Sequence, residues 1–149
     1  MTHDRATRLL SLAAIATALF GLAMFATVAL DQRAVFEMFL DLAILPIDGA
    51  DRLDTPTARL LTAISGGLLT GLGVMIWQVV RDVYARDPET GGRIILRGVL
   101  AWFVIDSAGS VLAGAAFNVL MNSGFLALFL VPLFGRRAQG TQSASGASK

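Results

Sequence analysis

Residues 94–134 form a nearly unbroken apolar run with one acid inside it, Asp106. A membrane-crossing helix needs roughly 20 consecutive apolar residues, so this run is long enough for two. Two helices require a turn between them. Ala113-Gly114-Ala115-Ala116 supplies it, with small residues and a glycine that can leave helical geometry. Spans over residues 94–113 and 117–134 follow, and Asn118 caps or closely follows the start of the second.

A hairpin centred on Gly114 fixes relative depth. Asp106 becomes level with Asn122, and Ser110 with Asn118. Asp106, Ser110 and Gly114 are spaced by four and share one helix face, as do Asn118 and Asn122 on the facing helix. The pattern predicts a polar seam of Asp106, Ser110, Asn118 and Asn122 between two otherwise greasy helices. An ionisable side chain inside hydrocarbon is costly and marks a functional site by default. The competing reading is helix–helix glue, where each interhelical hydrogen bond is worth about 1 kcal/mol or less. An acid that donates its proton to Asn122 meets the constraint without a bare charge.

The rest of the chain repeats the theme. Residues 9–30 are a second apolar run, longer than the roughly 7–15 residues of a signal-peptide core, so a retained first span is expected. Ala14, Ala18 and Ala26 give that span a small-residue face. Residues 58–80 form another span, with the motif Gly67-x-x-x-Gly71 for close packing inside the bundle or between copies. Trp77 and Tyr84 are expected to mark the membrane interface at its end. Between these two spans, residues 34–45 are too short to cross. Val35, Phe36, Met38, Phe39, Leu42 and Leu45 approximate one helical face, with Glu37 and Asp41 off it. An amphipathic helix at the membrane surface is expected there, ended by Pro46.

Residues 47–56 read as a turn-rich loop. Asp48, Asp51 and Asp54 lack the spacing and terminal Glu of an EF-hand. Residues 81–93 read as a charged loop turning at Asp87-Pro88 and Gly91-Gly92, without the Lys and Ser/Thr of a phosphate-binding loop. Residues 136–149 are Ser, Gly, Ala and Gln with a few cations, and a disordered polar tail is expected beyond a single four-span domain over residues 1–135. The expected fold class is therefore an all-α four-transmembrane-helix bundle with a short interfacial helix between spans one and two.

Composition closes several routes. Hydrophobic residues make up 55% of the chain and the mean hydropathy is +0.68, far from a soluble domain. A net charge of +1 without a concentrated basic face argues against nucleic acid. Without cysteine there is no disulfide or thiolate site, and the single histidine, His3, sits at the N-terminus. No metal or cofactor is expected. Enzymatic chemistry is not expected either, because Asp106 has only Ser and Asn beside it and lacks a second titratable partner.

Cations set the expected orientation. Arg5 and Arg8, Arg81, Arg86, Arg93 and Arg97, and Arg136, Arg137 and Lys149 lie at one end. Only Arg33, Arg52 and Arg59 lie at the other, among six acids. Both termini are then cytoplasmic. Arginine used almost to the exclusion of lysine, with abundant Ala and Gly, suggests a GC-rich bacterial genome.

The stretch WFVIDSAGS at residues 102–110, with Asn118 and LFLVPL at residues 128–133, resembles a group of small uncharacterised bacterial four-helix integral membrane proteins. Arg59, Gly66, Gly67, Gly71 and Gly73 in the second span resemble, more loosely, the DoxX-like superfamily. Neither resemblance implies a catalytic residue. The function expected from the residues is a non-enzymatic accessory protein or a small-molecule or lipid-binding bundle. The alternative is an oligomeric, proton-coupled transporter or channel using Asp106. The bilayer is the expected partner, with a second copy or another membrane protein as further candidates.

Overall fold

A computed structural model of the chain describes residues 1–146, with side chains described as far as Gly135. Five helices follow one another: α1 His3–Ala29, α2 Ala34–Ile44, α3 Pro56–Val79, α4 Pro88–Leu112 and α5 Ala116–Gly146. A π-helical turn, Val80–Tyr84, extends α3. The four long helices are long and apolar enough to cross a membrane, and α2 is not. No strand occurs among the described residues. The backbone of α5 runs through Pro132 and continues to Gly146, through most of the stretch expected to be a disordered tail; residues 136–149 contain no proline. Residues 147–149 of that stretch lie outside the described residues.

Capping explains two helix starts that come earlier than the apolar pattern. Thr2 accepts from the Arg5 N–H and opens α1 six residues before the first apolar run. Asp87 accepts from the Glu89 and Thr90 N–H groups, with Pro88 in the first turn of α4. Gly91-Gly92 is therefore part of a helix and not a turn. Its glycines serve packing: a Cβ on Gly91 would sit 2.5 Å from the Tyr84 Cα. Tyr84 is correspondingly 1% exposed, beneath α4 and beside the His3 ring, and is not the interface marker expected of it. Tyr84 lies eleven residues beyond Gly73 and four beyond Val80, on the same buried face. Trp77 is half-buried, with Arg81 over its ring at 5.4 Å.

The four long helices alternate in direction. One end of the bundle carries Met1, the α3–α4 connection and Gly135, where the Met1 ammonium donates to the Gly135 carbonyl. The opposite end carries α2, its acidic loop and the α4–α5 turn. At that turn Gly114 has φ +81°, a left-handed conformation that favours glycine. The Gly114 and Ala115 N–H groups return to the Val111 and Ser110 carbonyls, which ends α4 in a Schellman motif.

α1 is the central helix, packed along α3 and against α5. Backbones of α1 and α3 approach closely at Gly21, Gly66 and Gly73. A Cβ on Gly66 would lie 2.6 Å from the Gly21 carbonyl, and one on Gly73 would lie 2.5 Å from the Ala18 nitrogen. Gly67 and Gly71, the residues of the sequence motif, have nothing within 4 Å. The contact uses Thr62, Gly66 and Gly73, because one residue along a helix rotates the face by about 100°. Ala14 and Ala18 of α1 meet that face as expected.

α2 buries Phe36 and Ala43 and leaves Val35 and Met38 exposed, so its apolar residues split between two faces. Its acids hold the loop that follows. Asp41, 5% exposed, accepts from the Gly49 and Asp51 N–H groups at 2.6 and 3.2 Å. Glu37 accepts from the Leu53 N–H at 3.1 Å. Arg33 pairs with Asp31 and Asp54, and Arg59 with Asp31, which ties the loop to the foot of α3. These exposed pairs are each worth at most about 1 kcal/mol. Among the described residues, no three His, Asp or Glu side chains converge on a metal-sized site.

Candidate functional site

The candidate site starts from the α4–α5 hairpin. Because Gly114 closes the turn symmetrically, equal steps along α4 and α5 arrive at equal depth. Asn122 Nδ2 donates to Asp106 Oδ2. One turn nearer the tip, Asn118 Nδ2 donates to Ser110 Oγ at 2.8 Å, and Ser110 Oγ donates to the Asp106 backbone carbonyl at 2.8 Å. All four residues of the sequence-derived seam are brought together in the pairing that the register implied. The direction of the central bond is reversed: the amide donates and the acid accepts.

Beside the seam lies a hollow. One lobe of about 340 Å³ is bounded by Asp106, Asn118, Asn122, Trp102, Phe39 and residues of α1 and α3. An adjoining lobe of about 180 Å³ shares most of these walls and adds Met121 and Phe125. The hollow separates two apolar clusters. Towards Met1, Leu10, Val80, Tyr84, Val99 and Phe129 are each 2% exposed or less. Towards the acidic loop, Met24, Phe36 and Leu53 close the opposite end, with Phe20, Phe39 and Leu69 against them. Apolar packing thus lies towards both ends of the hollow. Leu68, which lines it from α3, is 70% exposed, and α3 touches α4 little.

Three observations define its chemistry. Its walls are dominated by aromatic and aliphatic side chains, and an edge-to-face pair, Phe20 with Phe39 at 5.5 Å, joins α1 to α2. Its polar groups are Asp106, Asn118 and Asn122 along the α4–α5 seam and Ser65 on α3. Asp106 has no ion-pair partner among the described residues. Arg97, on the same helix, lies nine residues away, roughly 13.5 Å along the axis. Ser107, next to Asp106 in sequence, is 9% exposed with its hydroxyl unpartnered.

The seam was legible from spacing in the sequence, whereas the hollow was not. Phe20, Phe39, Leu69 and Trp102 come from four different helices, and nothing in their local pattern separates a cavity wall from an ordinary core position. Compared with protein-family models, curated proteins and solved structures, the chain matches none.

Proposed function

We propose that this chain is a non-enzymatic integral membrane protein that binds a lipid or small amphipathic molecule in the hollow beside Asp106. The observation that carries the reading is the combination of an aromatic-walled hollow with the polar seam around Asp106. Ligand sites of about 300–1,000 Å³ that are mostly apolar, with a few convergent polar groups, have this composition. On this reading a ligand dissolved in the bilayer enters between α3 and α4, past the exposed Leu68. On this reading the protein resides in a bacterial inner membrane with both termini cytoplasmic. The acidic loop faces the periplasm, and α2 lies at the surface with Val35 and Met38 towards the lipid. The fully buried cluster around Leu10, Val80 and Val99 interrupts any polar route across one copy, which favours binding over conduction.

The test uses Trp102 as reporter in a Trp77→Phe background, with the full chain in zwitterionic lipid nanodiscs. A neutral brominated alkanol is expected to quench Trp102 saturably, and the cavity-filling Leu69→Phe to remove the saturable component. Quenching that only rises linearly with probe, as for bilayer partitioning, would sink the proposal.

A further inference from the structure

Resting on that ligand-binding reading, we infer that the hollow is selective for a lipophilic cation: a protonated amine carried on an alkyl or aromatic body. The seam leaves several polar groups unspent. Each asparagine has committed an amide hydrogen inside the seam, Asn122 to Asp106 and Asn118 to Ser110. The Ser110 hydroxyl hydrogen is committed to the Asp106 carbonyl. Still uncommitted are Asp106 Oδ1, both asparagine carbonyl oxygens and one remaining N–H on each amide. Acceptors outnumber donors, and the strongest of them belongs to a carboxyl group.

That carboxyl group has a neutral hydrogen-bond donor and no cation within ion-pair reach among the described residues. An uncompensated carboxylate in a low-dielectric hollow is stabilised by an opposite charge far more than in water. An ammonium N–H supplies the opposite charge and a donor for the uncommitted Asp106 Oδ1. The remaining walls fit the same ligand. Phe20, Phe39 and Trp102 present aromatic rings to a hollow that also contains Asp106, and a cation near such rings gains a further attraction. An anionic amphiphile would instead meet the Asp106 carboxyl group, with only the spare amide N–H groups and the Ser65 hydroxyl to offset it. A neutral alcohol can bind but cannot use the charge.

The experiment compares dodecylamine, dodecanol and dodecanoate at neutral pH, with the same Trp102 reporter and zwitterionic nanodiscs, subtracting empty nanodiscs. Dodecylamine is expected to bind saturably and about tenfold tighter than dodecanol, with dodecanoate weakest. Asp106→Asn should bring dodecylamine down to the dodecanol level, and Asp106→Glu should retain its preference. Equal affinities for all three probes, or an amine preference that survives Asp106→Asn, overturn the cation selectivity and leave the binding site standing. Absence of saturable binding by any probe overturns the site itself, and the selectivity with it. If Asp106→Asn does not fold, the ranking of the three probes on the wild-type chain decides alone.

Discussion

The α1–α3 contact and the α4–α5 contact join helices of similar length and apolarity by opposite means. α1 and α3 meet backbone to backbone, because Gly21, Gly66 and Gly73 remove the side chains that would hold them apart. α4 and α5 are joined at their tip by Gly114 and below it by amide, hydroxyl and carboxyl groups. Inside a bilayer the lipid is as apolar as leucine, so helices associate through close packing or through hydrogen bonds. The first device leaves no space. The second holds α5 to α4 while α3 stands away from α4, and the hollow lies in that gap. The tight contact sets the fold, and the polar contact sets the chemistry.

The largest expected effect breaks the tight contact. Gly73→Leu places atoms where the Ala18 nitrogen and Ala14 carbonyl already lie, at 2.5 and 2.7 Å from the Cβ position. It should destabilise the bundle by about 3 kcal/mol, the upper end of ordinary overpacking. Gly67→Leu, with open space around it, should change stability by less than about 0.5 kcal/mol. Unfolding in mixed micelles compares the two. Equal sensitivity would show that α1 uses both faces of α3, and the assignment of the contact to Gly66 and Gly73 would fail.

A middle-sized effect measures the polar contact. A double-mutant cycle of Asp106→Ala with Asn122→Ala should give a coupling of about 0.6–1.7 kcal/mol, the range of interhelical hydrogen bonds in membranes. The same cycle of Asp106 with Ser123, which bonds its own helix at the Val119 carbonyl, should give no coupling. A coupling above the glycine effect would reverse the ranking of the two contacts.

The smallest effect lies at the start of α4. The Asp87 carboxyl is held below its ordinary value of 3.8 by the Thr90 backbone N–H first, then by the Thr90 side chain, the Glu89 N–H and the Arg93 charge. A lowered folded value means that the stabilisation is fully present above the ordinary carboxyl range. It is lost as pH falls through the folded value. The wild-type Tm should therefore fall more steeply below about pH 4 than that of Asp87→Asn, which still caps the helix but does not titrate. Parallel curves would remove Asp87 from the account of α4.

Some of this could be read directly from the chain. Four long apolar segments, a turn at Gly114 and a helix over residues 34–45 were all legible, because helix period and apolar length are local properties. The pairing of Asp106 with Asn122 and of Ser110 with Asn118 was legible too, because a tight hairpin converts sequence distance into depth. The glycine face was misread. Gly67-x-x-x-Gly71 matches a motif, yet Gly66 and Gly73 make the contact, and only the rotation of α3 against α1 distinguishes them. Asp41 likewise looked like the polar side of a surface helix, and it is the anchor of the loop beyond it.

Four helices long and apolar enough to cross a membrane, the hairpin and the register of the polar seam were set by the sequence alone, since each follows from periodicity, turn chemistry and counting along the chain. The tertiary structure alone decided which face of α3 meets α1, that Tyr84 turns inward, and that a hollow opens beside Asp106. Those outcomes depend on how helices distant in sequence rotate and separate to fill space, and no local pattern encodes the space left between them.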